Sequence, residues 1–284
     1  MYSRYLNLSS LISRSKSLFT KVTMAKFCPN LSFLFTEKPF LERYGLAKQA
    51  GFKVVESGFP LGFSIEQVSE ARSAAGIQQV LLNIFTGDTS KGELGFAAIP
   101  GKEKEFRDSL DLTINYAKAL GATKIHVMSG KIDGEVTSRH DETFESNIRY
   151  AADILEKNNI VGLLEPINKY SVPNYYMNSF PKAISLIEKI NKPSIRLQFD
   201  IFHIQQIQGD IKHTLDSVKK YIGHVQIAQV PDRNEPDTLG EVNFHYIFKI
   251  LQDAGYNDWI GLEYKPAKET VQGLKWIKEY GYQL

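Results

Sequence analysis

Eight short apolar runs, each followed by a longer stretch with helical periodicity, set the strongest constraint on how this chain folds. The runs are Phe27–Phe33, Phe52–Glu56, Gln79–Phe85, Thr123–Met128, Ile160–Glu165, Ile195–Asp200, Gly223–Ala228 and Trp259–Glu263. They are too continuous in apolar residues to have one face in water, which marks strands of a parallel sheet covered by helices. Between them, Glu103–Leu120 carries apolar residues at 106, 110, 114, 117 and 120, and Asp141–Lys157 carries Phe144, Ile148, Ala151, Ala152 and Leu155 on one face. Glycine follows Ala50, Ala75, Leu120 and Ala254, where helices end and the next strand begins. Eight β-α units in one chain of 284 residues predict a single closed (β/α)₈ barrel, a fold that takes about 250 residues. An open doubly wound sheet fits less well, because no Gly-x-Gly-x-x-Gly follows the first run and no phosphate-loop motif occurs.

The charge sits unevenly. The net charge is +2, yet residues 1–23 hold Arg4, Arg14, Lys16 and Lys21, and no acidic residue precedes Glu37. Removing those four cations leaves 30 basic against 32 acidic residues, so the body has no nucleic-acid footprint. The leader also holds six serines. Two readings of it stay open, a mitochondrial transit peptide or a disordered extension ahead of Met24, and they leave the location cytoplasmic or mitochondrial. Either way residues 24–284 form the barrel domain. The single cysteine, Cys28, allows no internal disulfide, and no apolar run approaches the roughly 20 residues that span a bilayer. Cys28 itself is expected to be a small packing residue. Oligomeric state is not legible.

Barrel enzymes carry their chemistry at the C-terminal ends of the strands. The last four runs place Glu165, Asp200, Gln226 and Glu263 there, each interrupting or ending an apolar strand. One strand-end carboxylate is unremarkable. Four polar residues on successive strands, where an unpaired charge is costly, point to a site. Three carboxylates and an amide oxygen form a hard oxygen set suited to Mg²⁺ or Mn²⁺ more than to zinc. No organic-cofactor motif accompanies them.

The order and content of several segments resemble the hydroxypyruvate isomerases, a family of xylose-isomerase-like barrels. The likeness runs from Met24 to the C-terminus. It is carried by Leu163-Leu164-Glu165-Pro166-Ile167-Asn168, Gln198-Phe199-Asp200-Ile201-Phe202-His203, His224-Val225-Gln226-Ile227-Ala228, Pro231–Pro236, Gly240-Glu241-Val242-Asn243, Gly261–Pro266 and the segment Gly92–Gly101. That resemblance implies interconversion of hydroxypyruvate and 2-hydroxy-3-oxopropanoate (tartronate semialdehyde), with Glu165 and Glu263 as proton donor and acceptor. It also implies a divalent metal on Glu165, Asp200, Gln226 and Glu263, although the related sugar epimerases carry histidine where this chain has Gln226.

A hydroxy- or oxo-acid substrate needs a cation for its carboxylate. Arg233 is the first candidate, because a guanidinium grips a carboxylate at two points, and a rim ion pair to Asp232 or Glu235 is its bland alternative. Lys265, two residues past Glu263, and His203, three past Asp200, complete the expected substrate set. His126, His140, His213, His224 and His245 have no matched partners and read as structural or solvated. The glycine-rich stretch 87–101 is long enough for a lid. Three rivals remain. A sugar epimerase or other ketose isomerase would need no carboxylate contact. A DNA-repair nuclease on the same barrel would want a histidine-rich zinc cluster and a basic face. An inert binding protein would have no use for both glutamates.

Overall fold

A computed structural model describes residues 25–284; the leader lies outside the described residues. Eight parallel strands, β1 (Lys26–Pro29), β2 (Val54–Ser57), β3 (Gln78–Asn83), β4 (Lys124–His126), β5 (Val161–Leu164), β6 (Ile195–Asp200), β7 (Ile222–Ile227) and β8 (Trp259–Leu262), alternate with helices. They pair in the order β1-β8-β7-β6-β5-β4-β3-β2. The two ends of that order meet through a parallel bridge between Asn30 and Glu56 and a bond from Leu31 N–H to the Glu56 carbonyl of 2.8 Å. The expected barrel is therefore the observed one. Among the described residues, no helix is long and apolar enough to cross a membrane.

Local chemistry sets the helix ends. The helix α1 (Phe40–Gln49) precedes α2 (Ile65–Ala75), which begins in a capping box between Ser64 and Gln67 and ends on Gly76 in the left-handed region. The helix α3 (Glu103–Leu120) has the expected bounds and ends on left-handed Gly121. The helix α4 (Ser138–Lys157) starts three residues before the Asp141 expected for it. Its capping box is closed by His140 rather than Glu or Gln, with Thr137 N–H donating to His140 Nδ1 at 3.0 Å. His140, expected to be structural or solvated, is thus structural.

The apolar side chains form two sets. The larger lies between the strands and the helices, with Phe106, Leu110, Phe144, Ile148 and Leu155 all buried in it. The smaller comprises Cys28, Val54, Val80, Leu81 and Leu163. Side chains two residues apart on a strand share a face, so Val54 shares a face with Glu56, and Leu163 with Glu165. This second set therefore lines the barrel interior, and it is small because polar residues fill much of the space that branched apolar layers usually occupy.

The stretch 87–101 is only partly free. Residues 88–93 are mostly exposed, whereas Phe96, Ala97 and Ala98 are buried. The Ala98 N–H donates to the Ser129 carbonyl at 2.8 Å, and Asn147 Nδ2 donates to the Ala97 carbonyl at 2.9 Å. Gly95 has φ +97, and a Cβ there would lie 2.3 Å from the Met128 carbonyl oxygen. The second half of the stretch is thus packed against the barrel, and only its tip, residues 88–93, is exposed.

Candidate active site

Glu165 follows β5, Asp200 ends β6 and Glu263 follows β8, so all three carboxylates reach the same rim. Each is buried, and one ligand-competent atom from each of Glu165, Asp200, Glu263 and His203 lies within 4.8 Å of the others. Asp200 is pinned locally: it caps the short helix Ile201–Ile207, its Oδ1 accepting the Phe202 N–H at 2.7 Å. Its Oδ2 has no partner among the described residues, and neither has Glu165 Oε1. Burial holds the Glu165 carboxyl well above the ordinary range, and the charges of Glu263 and Asp200 push it the same way. Burial also raises Asp200 to about 6, against the pull of Arg233, and raises Glu263 to about 8, again opposed by Arg233. Crowded, desolvated carboxylates with unpartnered oxygens are what an oxygen-seeking divalent cation would relieve. The residues present therefore fit Mg²⁺ or Mn²⁺.

Arg233 supplies the positive charge of the pocket. It follows β7 and adopts φ +60, a left-handed conformation uncommon for a bulky residue. The loop imposes it: Arg233 N–H donates to the Gln229 carbonyl, and Gln229 N–H to the Asn234 carbonyl, each at 2.9 Å. The guanidinium lies between the rings of Phe33 and Phe202, with centroid distances of 4.7 and 4.6 Å. Its Nη2 pairs with the Glu263 carboxylate and stands 3.8 Å from Asp200 Oδ2. Its Nε donates to the Glu263 carbonyl at 3.1 Å. The alternative pairing with Asp232 or Glu235 is not the one observed. These bonds use Nε and Nη2, which leaves Nη1 for a ligand.

His203 has a fixed tautomer. Its Nδ1 accepts the backbone N–H of Asn168 at 3.2 Å, and Asn168 Nδ2 stands 2.7 Å from the same atom. A backbone N–H only donates, so Nδ1 carries the lone pair and Nε2 the proton. Burial, with Arg233 and His126 nearby, keeps this ring's pKa well below the usual histidine value. The Nε2–H lies 3.7 Å from Asp200 Oδ2, so His203 is a neutral donor facing the pocket. Lys265 stands apart: its side chain is exposed, while its backbone N–H braces the Arg233 carbonyl at 2.7 Å. Gln226 is buried just below the carboxylates, its Nε2 donating to Glu56 Oε1 at 2.6 Å and its Oε1 accepting from Gln198 Nε2 at 2.5 Å.

Several residues here carry more than the sequence reading gave them. His126 sits on β4 with Nδ1 3.4 Å from Glu165 Oε2, and its Nε2 has no partner among the described residues. Burial lowers its pKa to about 3, so the ring is neutral. His224 is bonded to Glu56 at 2.6 Å. Cys28 does more than pack, since its thiol lies 3.4 Å from Glu56 Oε2 as a donor. Asn30 Nδ2 donates to Glu56 at 3.1 Å and to Glu263 at 3.0 Å. The sequence signal was period-two alternation: Lys124/His126 and His224/Gln226 are pairs on one strand face, and Glu56 is a charge inside an apolar run.

Glu56 needs room, and β8 makes it. A Cβ on Gly261 would fall 2.5 Å from both Glu56 carboxylate oxygens and 2.7 Å from Gln226 Cγ. Gly261→Ala is accordingly expected to destabilise the fold by about 1–3 kcal/mol, the usual range for overpacking, read by denaturant unfolding. A variant as stable as the parent would show that the interior yields there.

Comparison with known proteins bears on this pocket. The family model described as xylose isomerase-like TIM barrel matches residues 44–280. A hydroxypyruvate isomerase of Escherichia coli (strain K12) is 40% identical over 258 residues, spanning 90% of this chain and all of the relative. A 2-oxo-tetronate isomerase of Haemophilus influenzae is 39% identical over the same length and with the same coverage. A crystal structure from Brucella melitensis, named AP endonuclease, family 2, superposes with a TM-score of 0.87 at 42% identity, covering 90% of this chain and 99% of that one.

Proposed function

The chain belongs to the xylose isomerase-like TIM barrel family and its relatives make it an isomerase; from that premise we propose that it interconverts hydroxypyruvate and 2-hydroxy-3-oxopropanoate, with Glu165 and Glu263 exchanging protons with the substrate carbons. The observation that carries this reading is the pocket of three buried carboxylates, Glu165, Asp200 and Glu263, gathered around one guanidinium on the catalytic rim. Glu165, Asp200 and Glu263 would hold Mg²⁺ or Mn²⁺; the fourth expected donor, the Gln226 amide oxygen, is instead taken by Gln198 Nε2. Such a cation would supply Lewis-acid stabilisation of the negative charge that develops on the substrate.

The reaction takes a proton from C3, passes through an enediolate and returns a proton to C2, while the hydroxyl proton moves from the C3 to the C2 oxygen. One glutamate is the base and the other the acid, and their roles exchange when the reaction reverses. The neutral His203 Nε2–H donates to an oxygen gaining negative charge. Arg233 Nη1 meets the substrate carboxylate.

Two of the rivals separate on this substrate. A sugar epimerase acts on ketoses that lack the carboxylate. For a nuclease, neither group of metal-competent side chains among the described residues holds more than one histidine. The test is to incubate the purified chain with hydroxypyruvate, 2-oxo-tetronate and a panel of ketoses, with and without EDTA, and follow products by NMR. Turnover of ketoses but not hydroxypyruvate would overturn the assignment. The cation is checked separately by melting. Mn²⁺ at about 100 times its dissociation constant is expected to stabilise the fold by about 2.7 kcal/mol. EDTA should reverse the gain and Asp200→Asn should remove it. A melting curve indifferent to Mn²⁺ would reject the metal.

A further inference from the structure

Below the carboxylates, a file of hydrogen-bonded side chains crosses the barrel interior. At the far end, half-exposed Asp258 accepts from Lys124 Nζ at 2.7 Å. The same Nζ lies 3.3 Å from His224 Nδ1, and His224 Nε2 lies 2.6 Å from Glu56 Oε2. On its other oxygen, Glu56 receives Gln226 Nε2 and Asn30 Nδ2, and the second N–H of that Asn30 amide reaches Glu263. Gln226 Oε1 then accepts from Gln198 Nε2.

Two members admit one role each. An ammonium only donates and a carboxylate only accepts. With Lys124 as donor, His224 Nδ1 must carry a lone pair and Nε2 the proton, which is the tautomer Glu56 requires. With Glu56 as acceptor, Gln226 must present its N–H₂ downward, and its oxygen therefore faces Gln198. Asn30 is set twice, because its Oδ1 also accepts the Ser32 N–H at 3.0 Å. Every group that could have turned either way is left with one orientation.

We propose that Glu56 is a positioning residue, held by His224 and Lys124 from the opposite end of the barrel, whose task is to fix the Glu263 carboxylate through Asn30 and the amide direction of Gln226 and Gln198. The file is not a proton wire. The links between Glu56 and the pocket are amides, which neither ionise nor pass a proton on in this range. It is not a second metal centre either, although Cys28, Glu56 and His224 are close enough for one. Glu56 already accepts from four donors, no atom of that trio is left without a partner, and burial drives the Cys28 thiol pKa well up. Gly261 clears the space that the Glu56 carboxylate occupies. Burial would raise the Glu56 pKa, but the hydrogen bonds from His224, Gln226 and Cys28 help keep the group below the ordinary carboxylate value.

The proposal rests on the site reading given above, and its test separates the two. Glu56→Gln cannot accept from both sides, so one pair of donors must face its new N–H₂. In the full chain, folded by circular dichroism, this variant is expected to lose at least tenfold in kcat with a smaller change in KM. Its Mn²⁺ affinity, read by electron paramagnetic resonance without substrate, should fall about 10- to 100-fold, the usual effect of an outer partner of a metal ligand. Glu56→Asp should recover part of both. Lys124→Met, remote from the rim, should shift both the same way but less. Glu56→Gln within twofold of the parent in kcat and Mn²⁺ affinity would overturn the proposal. So would a Glu56→Asp variant whose losses equal those of Glu56→Gln. If the parent neither turns over hydroxypyruvate nor binds Mn²⁺, the site reading falls instead. The file is then judged by melting Glu56→Gln, Glu263→Gln and the double variant: coupling through Asn30 requires non-additive shifts in Tm, and additive shifts overturn it.

Discussion

Glu165→Gln and Glu263→Gln are each expected to cut turnover of hydroxypyruvate by at least about 10²-fold, the lower end of what a positioned acid or base contributes. The amide keeps the shape of the side chain and removes only its titration. The two variants should part company in stability. Glu165 has one oxygen without a partner and shares a buried pocket with two like charges, so Glu165→Gln relieves repulsion and should melt at or above the parent's temperature. Glu263 is the ion-pair partner of Arg233 and accepts from Asn30. Glu263→Gln strands a buried guanidinium, so its Tm should fall, since breaking a buried pair costs more than the pair is worth. An inactive Glu165 variant that is no less stable is the signature of a residue kept for chemistry against stability. Near-normal turnover in both variants, measured on folded protein, would remove the pair from the mechanism.

The fold was legible because its signals are local and repeated. Each run needed only to be apolar and short, and each helix needed only its buried stripe, as in Glu103–Leu120 with its glycine stop. The carboxylates were legible because a charge at the end of an apolar strand is conspicuous in one dimension. The partners were harder. Arg233 pairs with Glu263 thirty residues away rather than with its neighbours Asp232 or Glu235, because the left-handed turn at Arg233 aims the side chain inward, and that backbone state leaves little mark on the sequence. His224 meets Glu56 across 168 positions, a contact created only when the barrel closes. Alternation along β2, β4 and β7 could have placed Glu56, Lys124 and His224 inside, but an interior filled with polar side chains runs against the apolar expectation for this fold. Lys265 is near Glu263 in sequence, but three residues past the end of β8 its side chain is exposed and only its backbone reaches Arg233.

Run in D₂O, the isomerisation of hydroxypyruvate is expected to place deuterium at C2 of 2-hydroxy-3-oxopropanoate. The base that takes the C3 proton is a carboxylate, and the acid it becomes has an O–H that exchanges with solvent. Glu165 and Glu263 are buried but not sealed, at 4% and 7% exposure, so exchange can compete with return of the same proton. Partial label would measure that competition. A hydride shift behaves otherwise: the C3 hydrogen crosses to C2 with its electron pair, never becomes acidic and arrives unlabelled. The product is read by NMR at early times against an enzyme-free control, because both compounds enolise slowly by themselves. Full or partial enzymatic label fits proton transfer through an enediolate and excludes a pure hydride path. Zero label has two sources, a shielded base or a hydride shift, and the amide variants tell them apart. A shielded base still needs its carboxylate, so zero label with turnover lost in Glu165→Gln or Glu263→Gln while Mn²⁺ affinity is kept retains the glutamate mechanism, and turnover lost together with Mn²⁺ affinity points to the hydride path. Zero label with turnover retained in both leaves no proton for either glutamate to carry and removes the pair as acid and base.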